Sequence, residues 1–274
     1  MLRNRLLFVP SFLCAAGLLA LWLGCTSHRA ELPASVSIGK APEPTSPTPT
    51  SMQASASTPV DKRTCHTGMV EIPGGNYTMY VRQTQDTVPA FCLDVTEVTV
   101  AAYKTCVDAG RCTKPDEGWS CNWGVWGRGN HPINCVDWDQ ATTYCEWAGG
   151  RLPSEEEWEW AARGGDRGWP YPWGNDRPTE DAVCSSGLHN RQSTCPVGSN
   201  SKDTNRWGVK DLASNVWEWT SSQVSISISG RVVRGGSWGS NIEYGPDLVS
   251  AGFRGGRESG VRAVELGFRC SRGL

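Results

Sequence analysis

Histidine is scarce in this chain: His28, His66, His131 and His189 are the only four in 274 residues, and each stands alone. No two cysteines are spaced as Cys-x-x-Cys, so the close ligand pairs of a structural zinc site are missing. There is no block of basic residues, and the formal net charge is −2. Phosphate backbones need concentrated positive charge, so nucleic acid is excluded as a partner. His-Glu-x-x-His, a P-loop and a Gly-x-Gly-x-x-Gly following a strand are also lacking, which removes zinc-protease and nucleotide-binding readings. No segment repeats at solenoid spacing.

What is present begins with Arg3 and Arg5 ahead of an apolar run over residues 6–23, the form of an export signal. The same run is long enough to cross a bilayer uncleaved. It ends in "LWLGC", which resembles the cleavage site of bacterial lipoproteins, although Trp22 departs from the usual pattern three positions before the cysteine. That resemblance implies a signal over residues 1–25, acylation of Cys25, and a membrane attachment through the N-terminal lipid in the bacterial cell envelope. Residues 26–64 are rich in Pro, Ser, Thr and Ala and carry too little apolar surface to offset their ordering entropy. They read as a disordered linker, leaving residues 65–274 as one domain with its own core.

Ten cysteines fall in that domain: Cys65, Cys92, Cys106, Cys112, Cys121, Cys135, Cys145, Cys184, Cys195 and Cys270. An even number in an exported chain argues for disulfides. "HPINC" sets His131 four residues before Cys135, the spacing at which a thiol nucleophile is conceivable, but the oxidised compartment favours pairing of Cys135.

Three helices announce themselves by their ends. Thr99 caps "VAAYKTCVDA" and Gly110 stops it. Asp137 with Gln140, and Ser154 with Glu157, have the form of two capping boxes, the first helix stopping at Gly149-Gly150. Ala141, Tyr144, Cys145 and Ala148 on one helix, and Trp158, Ala161 and Ala162 on the other, are expected to face the core. Glu155 and Glu156 read as first-turn acids favoured by the helix dipole. Short strands are expected in "MVEIPGG", "PAFCLDVTEV", "NVWEWTS", "RVVRGGSW" and "ELGFRC". With 13 of the chain's 14 tryptophans and much coil, the domain reads as α+β, low in regular structure and held by aromatic packing and disulfides.

Seven stretches taken in order, "MVEIPGGNYTM", "FCLDVTEVTVAAY", "HPINCVDWDQATTYCEWAGGRLPSEEEWEWAARGG", "YPWGN", "DLASNVWEWTS", "RVVRGGSW" and "GFRC", closely resemble the formylglycine-generating enzyme, or sulfatase-modifying factor, family. The resemblance spans residues 69–270 and implies a variant of the C-type lectin fold. It also implies a disulfide between Cys145 and Cys270. Proximity in sequence then suggests Cys65–Cys92, Cys106–Cys112, Cys121–Cys135 and Cys184–Cys195, although eight cysteines allow 105 pairings. Oxidising members of the family convert a sulfatase cysteine to formylglycine, using oxygen and a copper ion held by two cysteines after the "GGS". Counted from Gly235-Gly236-Ser237, those positions hold Ser240 and Gly245. Neither supplies the soft thiolate that selects Cu(I), so copper is not expected.

The resemblance further implies one calcium ion, held by the Asp211 and Glu218 carboxylates with the Ser214 and Val216 backbone oxygens, a ligand set that suits calcium. A second family calcium site is expected to give way to the cysteines of "DRPTEDAVCSSGLHNRQSTCPVG". Arg234, Ser237, Trp238, Ser240, Tyr244 and Arg254 are the candidates for a binding groove, with Tyr171, Pro172 and Trp173 expected to pack. The leading expectation is a non-oxidising envelope lipoprotein that binds a peptide, glycan or protein. The alternatives are an oxidase of the same family working through other residues and a purely structural envelope protein.

Overall fold

The computed structural model describes residues 65–179, 182–185, 192–225, 228–242 and 245–274. All of these fall in the compact unit Thr58–Leu274. The expected helix ends form as read. Helix α1, Val100–Asp108, is capped by Thr99, whose side chain accepts from the Ala102 amide. Helices α2, Trp138–Trp147, and α3, Glu155–Ala162, each open with a complete capping box, Asp137 with Gln140 and Ser154 with Glu157. Each box satisfies two amides that the first helical turn leaves without partners. Ala148 departs from expectation: it is the exposed C-cap of α2, not a core residue.

The strands make three small sheets. Strands β1, Met69–Ile72, β4, Phe91–Asp94, and β9, Ser271–Gly273, form an antiparallel sheet in the order β1-β4-β9. Strands β2, Gly75–Thr78, and β3, Gln85–Val88, form a hairpin. The third sheet has the order β7-β6-β5-β8, from β5, Trp217–Ser225, β6, Ile228–Arg234, β7, Arg254–Glu258, and β8, Leu266–Gly267. The five anticipated strands are there. The β2–β3 hairpin, β7 and β9 were not anticipated, and β7 reads poorly because its sequence, RGGRE, has no apolar residue to alternate. Strand β6 ends at Arg234 because Gly235 and Gly236 turn the chain at φ of +99° and +75°. A side chain on Gly236 would meet the Leu248 carbonyl at 2.6 Å, so that turn requires glycine.

The core is aromatic. Tyr103 of α1 stacks on Tyr144 of α2 with ring centroids 5.4 Å apart, and Phe268 packs edge-on against both. A second cluster gathers Trp158 and Trp160 of α3 with Ile72, Phe91 and Leu93. Burying each large side chain of this kind is worth roughly 1.5–3 kcal/mol. Five disulfides form, Cys65–Cys92, Cys106–Cys112, Cys121–Cys135, Cys145–Cys270 and Cys184–Cys195. These are the expected pairs. Among the described residues no helix is long and apolar enough to cross a membrane.

The Cys145–Cys270 bridge ties α2 to the C-terminal segment across 125 residues. In the chain-entropy account a loop of that length is worth about 5 kcal/mol. Cys145→Ala with Cys270→Ala is therefore expected to lower the unfolding free energy by several kcal/mol in urea titration. Thiol titration of the parent domain under denaturing, non-reducing conditions is expected to find all ten of these cysteines unreactive.

Candidate functional site

Two buried ionic assemblies lie either side of Trp158. On one side, Glu218 of β5 is fully buried and faces Arg269, also fully buried. Arg269 donates to both carboxylate oxygens of Glu218, at 2.7 Å each. Its remaining donors reach the carbonyls of Asp94, Lys210 and Asp211. The Trp158 indole N–H donates to the same Glu218 carboxylate at 2.8 Å. On the other side, the Arg234 guanidinium lies 5.3 Å from the Trp158 ring centroid, pairs with Glu159, and donates to the carbonyls of Gly252 and Phe253. Glu159 also accepts from the Tyr80 amide and pairs with Arg163. Glu155, one turn earlier and fully buried, pairs with Arg254 at 2.5 Å and with Arg82 at 3.5 Å.

These contacts revise the reading of α3. Glu155 is not merely a dipole-favoured surface acid. Glu155 and Glu159, four apart on one helix face, are the buried anions onto which three segments of chain are drawn by arginine. The signal in the sequence was the acid–Trp–acid spacing around Trp158, which the capping pattern obscured.

The expected calcium ligands do not fit that ion as they stand. Both oxygens of Glu218 are taken by a fixed guanidinium, and an Asp211 oxygen accepts from the Gly198 amide. Among the described residues no three His, Cys, Asp or Glu side chains are grouped to hold a metal. Asp211 is nonetheless part of a buried acidic row. Burial first, then the Asp211 charge, pushes the Glu97 carboxyl well above the usual range, and burial with the same neighbour pushes Asp203 up to about 8. No N–H or O–H donor reaches either oxygen of Glu97.

The groove candidates separate. An open groove of about 540 Å³ is lined by Tyr80, Val224, Asp247, Phe253, Arg254 and, along β7, Gly255 and Gly256. Of the six expected residues, Arg254 lines it. Arg234 is wholly buried and instead holds the Gly252–Phe253 wall in place. Ser237, Trp238 and Ser240 lie elsewhere, in a local knot. The Ser240 hydroxyl accepts from the Ser237 amide at 3.0 Å, the Ser237 hydroxyl accepts from Gly239, and the Trp238 indole donates to Val264. Tyr244 lies outside the described residues, as does Cys25. Tyr171 and Trp173 stack with centroids 5.3 Å apart, the packing role expected of them.

Residues 235–239, GGSWG, also spell the Gly-x-Ser-x-Gly of a hydrolase nucleophile. It is not an elbow here. The turn does not enter a helix at once, Ser237 is buried, and neither described histidine reaches it. His66 contacts Arg272, and His131 meets Thr194 at 2.9 Å and Arg128 at 3.0 Å. Burial and the Arg128 charge push His131 down to about 4. Its neighbour in sequence, Cys135, is bonded to Cys121, so no Cys–His nucleophile forms.

Fold and site together define a disulfide-stapled α+β scaffold with buried arginine–carboxylate pairs and an open groove beside β7. It aligns with the structure of PvdO from Pseudomonas aeruginosa at a TM-score of 0.62 and 23% identity, over 75% of this chain and 94% of that one. The chain belongs to the sulfatase-modifying factor enzyme 1-like domain family, whose profile matches residues 54–274. It is 37% identical over 158 residues to an inactive C-alpha-formylglycine-generating enzyme 2 from Bos taurus, covering 52% of this chain and 50% of that protein. It is 34% identical over 173 residues to a formylglycine-generating enzyme from Streptomyces coelicolor, covering 54% of each. The chain thus spans about half the length of these curated relatives.

Two outcomes follow from the Glu218–Arg269 pair. Arg269→Met leaves an unpaired buried carboxylate and is expected to cost about 3–5 kcal/mol in urea unfolding. Because a guanidinium already neutralises Glu218, added calcium or a chelator is expected to leave the melting temperature unchanged; a calcium-dependent rise would restore the metal assignment.

Proposed function

We propose that this chain is a non-oxidising member of its family that binds an extended, basic segment of a partner protein in the groove beside β7. The observation that carries the reading is the groove's composition. Strand β7 is the last in its sheet, and its Arg254, Gly255 and Gly256 line the cavity. The strand is exposed from Gly256 to Glu258, and an exposed last strand suits strand addition by an extended peptide. Tyr80 and Phe253 supply apolar faces, and the exposed Asp247 carboxylate supplies the charge that selects a basic residue. Arg254 is already committed to Glu155 and the Val224 carbonyl, so it shapes the wall and leaves the groove's charge negative.

Oxidation by the family's copper chemistry lacks its donors. Position 240 offers a hydroxyl turned to the Ser237 amide, and position 245 offers no side chain. The ten described cysteines are all in disulfides, so none supplies a thiolate. The likeness to a relative named as inactive agrees with this. Acylation at Cys25 and a place in the cell envelope complete the proposal, with residues 26–64 as the tether.

The test uses the full chain in detergent. Incubation with a cysteine-containing sulfatase peptide, Cu(I) and oxygen is expected to give no formylglycine. Product formation that stops on copper chelation would establish the oxidase reading, to which the Streptomyces relative points. Peptides selected from a random display library are expected to carry a Lys or Arg and to bind Asp247→Lys at least about tenfold more weakly, as for loss of one charge-assisted contact.

A further inference from the structure

A second surface shares no residue with the groove beside β7. Residues 124–127, GVWG, form a tip on which Val125 exposes 45% and Trp126 98% of its reference surface. Gly124 and Gly127 stand at φ of +74° and +79°, so the chain turns on both sides of the two apolar residues. The base of the tip is fixed. Trp123 is buried edge-on against Tyr103 of α1, with ring centroids 6.1 Å apart. Cys121 is bonded to Cys135, and the Asn122 side chain donates to the Pro132 carbonyl and to Thr194. Within the tip, the Val125 amide donates to the Asn122 carbonyl at 3.3 Å and the Arg128 amide to that of Val125 at 3.2 Å. The same short turn therefore drives one indole into the core and holds the next out in water.

Charge selects the occupant. Over residues 100–131, Lys104 pairs with Asp108 at 2.6 Å, and Asp116 pairs with Arg262 at 2.7 Å. Of the other charged side chains there, Arg111 and Lys114 are exposed and enter no ion pair among the described residues. Arg128 donates to Ser193 and Thr194 and meets no carboxylate. Glu117 is the one acid left without a cation, so three cations stand against a single anion. Lys114 lines the open cavity of about 480 Å³ that Trp123 and Val125 also line, which sets its side chain beside the tip. Size narrows the choice further. A valine and an indole offer a few hundred Å² at most, well under the roughly 800 Å² per partner of a stable protein interface. An apolar body with a polar N–H edge, attended by lysine and arginine, suits the boundary between lipid headgroups and acyl chains. We infer that this tip inserts into the interface of an anionic phospholipid bilayer, with Val125 and Trp126 at the acyl boundary and Lys114 beside the lipid phosphates. The inference is independent of the β7 groove and of the peptide proposed for it.

The experiment reconstitutes the full chain in phosphatidylcholine vesicles with and without phosphatidylglycerol, and reads hydroxyl-radical oxidation of Trp126 by mass spectrometry. At low salt, the anionic lipid is expected to lower that oxidation at least about fivefold, the attraction of one basic residue near such a surface. In about 1 M NaCl, where the screening length falls to about 3 Å, the protection is expected to disappear. Lys114→Glu is expected to remove most of it at low salt and to leave the melting temperature unchanged, because its side chain has no partner to lose. Asp247→Lys, in the β7 groove, is expected to leave it intact. Equal oxidation of Trp126 with and without the anionic lipid overturns the inference, as does protection that survives Lys114→Glu. Protection that appears in detergent and grows with protein concentration overturns it too, and assigns the tip to contact between copies of the chain.

Discussion

The salt bridge between Glu218 and Arg269 is the constraint around which the domain is arranged. Two opposite charges with no exposure to water cost several kcal/mol each in lost hydration, and only a fully hydrogen-bonded geometry recovers that. Here the geometry is complete on the Arg269 side and nearly so on the Glu218 side. The guanidinium reaches the carboxylate twice and three backbone carbonyls from two distant segments, and the carboxylate accepts a further hydrogen bond from the Trp158 indole N–H. The pair therefore joins β5, the end of β4, the loop before β5 and helix α3. Cys270, next in sequence to Arg269, is bridged to α2, and its amide donates to Asp94. Covalent and ionic restraints act on adjacent residues.

Trp158 carries this constraint to the groove. Its N–H serves Glu218, and its ring lies beneath Arg234, whose partners Glu159, Gly252 and Phe253 set the groove's wall. A buried arginine that touches no ligand still positions the residues that would. That explains why Arg234 looked like a binding residue in the sequence: it sits next to the family's glycine turn, but it points inward from it.

The legible parts of the sequence were those governed by local chemistry. Capping boxes need residues three apart, and Asp137, Gln140, Ser154 and Glu157 declared themselves by spacing alone. Cysteine count and proximity suggested four of the bridges; the family resemblance supplied Cys145–Cys270. Family resemblance likewise gave the fold. What stayed hidden was non-local. Nothing in "GFRC" says that its arginine crosses 51 residues to occupy Glu218, so the acid read as a metal ligand. Strand β7 was missed because an edge strand made of Arg and Gly has no alternating pattern. Trp119 and Trp126 were counted among packing aromatics, since composition cannot tell an outward indole from an inward one.

The placement of the restraints also bears on which parts of the scaffold are free to change. Positions 237 to 241 and 245 are held by short-range bonds, Ser237 to Ser240, Gly239 to Ser237 and Gly245 to the Asn241 carbonyl, and by Trp238, which donates to the Asn215 and Val264 carbonyls. None of these groups enters the Glu218–Arg269 or Glu155–Glu159 assemblies. Residues there can change from thiol to hydroxyl, or lose the side chain altogether, without opening a buried charge or a cavity. The core tolerates no such freedom at Trp158, where one ring serves both ion pairs. A change at position 240 or 245 is therefore separable from the buried ion pairs, because neither residue takes part in the contacts that Arg234, Arg254 and Arg269 make with Glu155, Glu159 and Glu218.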